Sequence, residues 1–161
     1  MTQGVKWLYV LTLAVWIGSI VFFSFVVAPT AFKTLKPEDA AALIRRIFSK
    51  YYLVGIVCAG IGIVCIGLML ADHSFSKWPA ILSLLLLAGM GATDVWLRQG
   101  VMPHMNNLRD RRAALESSGK PPDEELDKEW KALHRLSVQM NGVVLLCGLV
   151  LIFLMVYARV V

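Results

Sequence analysis

Charge is scarce in this chain: Asp, Glu, Lys and Arg make up 17% of 161 residues, against 58% hydrophobic ones. Too little polar surface is available to wrap a soluble domain of this size, so lipid must cover what a small core cannot. Cysteine is equally sparse. Cys58, Cys65 and Cys147 form no disulfide framework and no paired CxxC motif, and each sits in an apolar run where sulfur acts as a small apolar group. Also missing are a nucleophile beside a base, a carboxylate pair in an apolar run and a glycine-rich phosphate loop, which points away from an enzyme. The net charge of +5 comes without aromatic interleaving or a basic face, so it implies no nucleic-acid partner.

What the chain has instead is four apolar runs: Trp7 to Ala28, Tyr51 to Ala71, Pro79 to Leu97 and Met140 to Ala158. Each is near the roughly 20 residues a helix needs to cross about 30 Å of hydrocarbon. The expected fold is an all-α, antiparallel, integral membrane four-helix bundle formed by the whole chain as one domain. The first run is too long for a signal-peptide core, and Val27-Ala28-Pro29 is a poor cleavage site, so it is expected to stay attached. Thirteen of the sixteen lysines and arginines fall between runs one and two or between runs three and four. By the positive-inside rule these hairpin ends, about 29–50 and 98–139, are cytoplasmic, and both termini lie outside. The expectation is a multi-pass protein of a bacterial inner membrane.

The hairpin ends also read as helix. Pro37-Glu38-Asp39 and Pro122-Asp123-Glu124-Glu125 put proline and acids where helix starts favour them. The second span should therefore begin well outside the bilayer, and the fourth helix should run from about Asp123 to Ala158. Between helices three and four, Ser117 to Pro122 is turn chemistry. Pro29 and Pro103 should each kink or end their helices, and their similar settings suggest a faint two-hairpin repeat. Close packing is expected at Gly55-xxx-Ala59, at Cys58-xxx-Gly62 and along Trp16, Gly18, Ser19, Phe22, Phe23 and Phe25. Tyr51 and Tyr52 should form one interfacial belt, and Trp7, Trp78 and Tyr157 the other.

Asp94 is the one charged residue inside the four runs, and such an acid is a candidate functional site. Arg98 follows four residues later on the same helical face, giving either a structural ion pair or a ligand or proton site. His134, Ser137 and Asn141 form a polar stripe on helix four, with Asn141 within expected reach of Arg98. His104 and His134 are equidistant from Gly119, so an antiparallel hairpin puts both imidazoles at one level. If they faced each other they could share a copper ion or a haem iron, with Met102 or Met105 as softer ligands.

The chain resembles the transmembrane-205-like family, domain of unknown function 4149. The resemblance rests on Trp16-x-Gly18, Phe22-Phe23, Val27-Ala28-Pro29-x-x-Phe32, Phe48-x-x-Tyr51-Tyr52, Pro103 and His134-x-x-Ser137-x-x-x-Asn141. It implies a four-helix integral membrane protein whose activity is not established. Three functional readings follow from the residues. The first is a non-enzymatic binder or subunit, in a homo-oligomer or a larger membrane complex, using the cytoplasmic ends of helices three and four with Trp130, Leu133 and Leu136. The second is metal or haem handling at His104 and His134. The third is solute or proton-coupled transport by an oligomer through Asp94, Arg98 and Asn141.

Overall fold

A computed structural model of the chain describes residues 2–119 and 123–157. Four helices account for nearly all of them: α1 (Gln3–Thr34), α2 (Pro37–Ala71), α3 (Lys77–Ser117) and α4 (Glu124–Tyr157), each long and apolar enough to cross a membrane. Backbone polar groups have no water to bond in hydrocarbon, so helices that satisfy them internally are the economical solution. Lipid-facing side chains such as Leu85 and Leu146 are correspondingly exposed. The helices pack in a ring, α1 on α2, α2 on α3, α3 on α4 and α4 back on α1. The fold is thus an all-helical bundle of four long apolar helices.

The helix starts follow the expected chemistry. Pro37 opens α2 with Glu38 and Asp39 in its first turn. Asp123 Oδ1 accepts the backbone N–H groups of Glu125 and Leu126 at 3.0 and 3.4 Å, capping α4. Gly119 adopts φ 69 just after α3, a left-handed conformation that glycine takes without penalty. The rest of that turn, Lys120 to Pro122, and Ala158 at the expected end of helix four lie outside the described residues.

Neither proline ends its helix. Instead, a single π turn precedes each, Phe23–Val27 before Pro29 and Leu97–Val101 before Pro103. The N–H of Ala28 reaches back to Phe23 O and that of Met102 to Leu97 O, the wider i to i−5 pattern. Proline lacks an N–H and its ring crowds the carbonyl four residues earlier; a wider turn relieves that crowding and lets the helix continue. The same device at both sites matches the suggested two-hairpin similarity.

Small residues set the helix spacing. A Cβ on Gly62 would lie 3.0 Å from Leu87, one on Gly91 2.8 Å from the Ala59 Cβ, and one on Gly148 2.8 Å from Ile17. Gly55 is likewise in close contact, with Asp94 and Trp16. Gly18 is different: it faces outward with open space around it, so its packing role is not realised. Phe22 and Phe25 also point outward, at 59% and 71% exposure, whereas Trp16 and Phe23 turn into the core. Pro29 is exposed and acts through the backbone rather than as a packed side chain.

The hairpin ends meet at one end of the bundle. Arg45 on α2 donates to both carboxylate oxygens of Asp110 on α3, at 2.8 and 3.0 Å. Arg109 Nη1 donates to Ala41 O at 3.3 Å. In cysteine-labelling experiments, Lys36→Cys and Gly119→Cys should therefore react from one side of the membrane and Ser74→Cys from the other. Labelling of Lys36→Cys and Gly119→Cys from opposite sides would break this topology.

Candidate functional site

Two polar constellations occupy the bundle, one inside the apolar zone and one between the hairpin ends. The inner one centres on Asp94, which is 2% exposed. Its carboxylate accepts the indole N–H of Trp16 from α1 and lies directly against Gly55 of α2, where no side chain leaves room for it. Tyr51, Tyr52 and Cys58 surround it within electrostatic range. Three helices thus converge on one acid.

Arg98 does not pair with it. The guanidinium donates from Nε to Ser49 O at 3.2 Å on α2, and no Asp94–Arg98 ion pair forms. The π turn explains the departure: it starts at Leu97, so the regular i, i+4 alignment of Asp94 with Arg98 is lost. The expected Asn141–Arg98 contact is replaced as well. Tyr51 OH donates to Asn141 Oδ1 at 3.2 Å, and Asn141 Nδ2 donates to Tyr52 OH at 3.4 Å. Tyr52 is fully buried, so these tyrosines serve the interior and not an interfacial belt. Ser137, also buried, returns its hydroxyl to His134 O at 2.8 Å on its own helix.

Around the tyrosines the rings of Phe23, Phe48, Tyr51 and Tyr52 form a cluster, with Phe23 4.7 Å from Phe48 and Phe48 stacked on Tyr52 at 5.7 Å. Further out, the Tyr9 and Ser83 hydroxyls face each other, although neither buried oxygen completes a hydrogen bond of standard geometry.

The two histidines find separate partners. His104 Nε2 lies 2.7 Å from Glu129 Oε1, while His134 stacks on Trp130 with rings 5.2 Å apart and 6° from parallel. The hairpin register is as expected, since Arg112 meets Asp127 and Arg109 lies over Trp130, each within one residue of equidistance from Gly119. Level alone does not fix the direction in which a side chain leaves its helix. Among the described residues no group of three or more His, Cys, Asp or Glu could hold a metal ion. Burial and the nearby Arg109 lower the pKa of His134, so its imidazole is held neutral.

The second constellation was not foreseen. A cleft of about 720 Å³ opens between the hairpin ends, with Phe32, Ala41, Leu108 and Trp130 among its apolar lining, and with Arg45, Arg46, Arg109 and Arg112 facing it together with Glu38, Asp110, Glu116 and Asp127. Acids hold two of these arginines: Asp110 binds Arg45, while Glu116 and Asp127 bind Arg112. The Arg45 bond keeps the Asp110 carboxyl below its usual range. Among the described residues Arg46 and Arg109 have no carboxylate hydrogen bond. Arg109 sits 5.8 Å from the Trp130 ring centroid, and desolvation, then Arg45, opposes its charge. The Trp130 indole N–H is buried without a hydrogen-bond partner. Trp130 and Leu133 also pack with Met102 and Met105 of α3, so the apolar stripe of α4 is largely used within the chain.

Fold and polar interior together define a four-helix, multi-pass membrane protein. The family model for the domain of unknown function DUF4149 matches residues 11–114, well over half of the sequence, and the chain belongs to that family. An uncharacterised protein of Aquifex aeolicus (strain VF5) is 41% identical over 51 residues, which are 32% of this chain and 39% of the relative. The match thus spans about two fifths of that protein's length. No solved structure matches the chain.

Removing one partner of a buried hydrogen bond costs about 1 to 3 kcal/mol. Trp16→Phe should therefore lower the thermal midpoint of the detergent-solubilised protein by several degrees, and the same change in an Asp94→Leu background, which has no acceptor for the indole, should cost clearly less. Equal losses in both backgrounds would show that the indole acts only through packing.

Proposed function

We propose that this protein is a non-enzymatic membrane bundle that binds a small amphipathic anion in the cleft between its cytoplasmic hairpin ends. One observation carries the reading: a space of about 720 Å³ joins an apolar wall, Trp130 included, to Arg46 and Arg109, which among the described residues have no carboxylate hydrogen bond. Ligand sites of this kind are concave and mostly apolar, with a few polar groups that fix orientation. A guanidinium whose charge is penalised by burial, as that of Arg109 is, gains most from an anion. The cytoplasmic placement follows from the arginine and lysine bias of these ends. Support for docking a partner through Trp130 and Leu133 is weaker, because α3 already covers much of both.

Titrating the purified protein with octyl phosphate below its micellar concentration tests this reading. Saturable quenching of tryptophan fluorescence is expected, and it should vanish in Trp130→Phe. Arg109→Gln should weaken binding about tenfold, the equivalent of one charged hydrogen bond. Non-saturating quenching that persists in Trp130→Phe would count against the cleft.

A further inference from the structure

The apolar surface of α1 outlasts the apolar surface of its neighbours. Phe23 packs on Phe48 and Tyr51 of α2, which fixes the level of α1 at the start of the α2 apolar run. At the same level the other helices turn charged: Lys50, Arg46 and Arg45 follow on α2, and Arg98 on α3 bonds Ser49. Beyond Phe23, however, α1 continues Phe25, Val26 and then Phe32, at 71%, 46% and 55% exposure. Nine residues separate Phe23 from Phe32, about 13 Å of helix. That distance exceeds the roughly 5 to 8 Å of headgroup region on each side of a bilayer.

This ridge connects two surfaces already described. At its lower end Phe22 and Val21, both exposed, continue the lipid-facing side of α1. At its upper end Phe32 lines the cleft. An apolar track therefore leads from the hydrocarbon to a pocket lined by four arginines and four acids, in which Arg46 and Arg109 have no carboxylate hydrogen bond among the described residues, and Lys33 and Lys36 flank its upper part.

We infer that the cleft takes an anionic phospholipid from the inner leaflet, its phosphate held at Arg46 and Arg109 and its acyl chain laid along Phe22, Phe25 and Phe32; the assignment rests on the ligand reading of the same cleft. Chain and headgroup are recognised by different chemistry. Aromatic side chains on α1 replace the lipid contacts that a rising acyl chain loses, so its methylenes stay out of water. The guanidinium groups discriminate a net anion from a zwitterion, whose own ammonium already neutralises the phosphate.

The full chain in nanodiscs of equal phosphatidylglycerol and phosphatidylcholine, released into a native mass spectrometer, tests the inference. Phosphatidylglycerol should be retained at least about fivefold over phosphatidylcholine, and Arg46→Gln with Arg109→Gln should cut its retention about a hundredfold, about tenfold for each charged hydrogen bond. The exposed pair Phe22→Gln and Phe25→Gln should reduce it as well. Equal retention of both lipids, retention unchanged in the phenylalanine variant, or displacement by equimolar glycerol phosphate would overturn the lipid assignment, the last pointing to a soluble phosphate. Octyl phosphate titration of the unaltered protein separates the failures: saturable binding without phosphatidylglycerol enrichment removes the lipid and leaves the cleft, and no binding in either removes both.

Discussion

Asp94 has to be solvated by protein, because almost none of it reaches the surface of an apolar bundle. An acid at the centre of a spanning helix costs about 2.5 to 3.5 kcal/mol on insertion scales, and Asp94, three residues inside its apolar run, carries part of that cost. Much of the interior geometry can be read as compensation. Trp16 donates its N–H from α1, Gly55 leaves the space on α2, and α3 supplies the acid, so the helix separations are set where the three meet. Asn141 then engages both tyrosines of α2 from the fourth helix. A bundle in lipid cannot rely on hydrophobic exclusion to hold its helices, and these bonds, with the small residues Ala59, Gly62, Gly91 and Gly148, take that part.

The π turns explain how the bundle extends past its apolar zone. A proline inside α1 or α3 would normally break the helix, and the hairpin ends would then be loops. One widened turn ahead of each proline keeps α1 going to Thr34 and α3 to Ser117. Without that continuity Phe32, Leu108 and Arg109 would have no rigid support, and the cleft they line would not exist as a shaped space. The wide turn also re-aims Arg98, sending it to Ser49 instead of Asp94.

Much of the fold was legible in the sequence because run length and the proline and acid placement at helix starts each act locally. Pro37 and Asp123 begin or cap their helices through groups a few residues away. The site was less legible, for a physical reason. Spacing gives the level and face of a residue on its own helix, whereas contacts depend on how neighbouring helices are rotated. His104 and His134 share a level yet meet Glu129 and Trp130. Gly18 looked like Gly55 in sequence, but it faces outward while Gly55 faces Asp94. Tyr51 and Tyr52 looked like belt residues because they open an apolar run; Asn141 at the same depth is the signal that could have turned them inward.

The stagger of α1 follows from these same contacts. Trp16 must stand beside Asp94 and Gly55, which leaves Phe23 beside Phe48 and carries Phe25 and Phe32 beyond the level where α2 and α3 become charged. Sliding α1 outward by two turns would return those phenylalanines to hydrocarbon. It would also remove the indole from the acid and put Phe23, which carries no side-chain donor, in its place. The buried hydrogen bond and the exposed ridge are therefore linked, and the aromatic track toward the cleft is the geometric consequence of solvating one carboxylate inside the membrane.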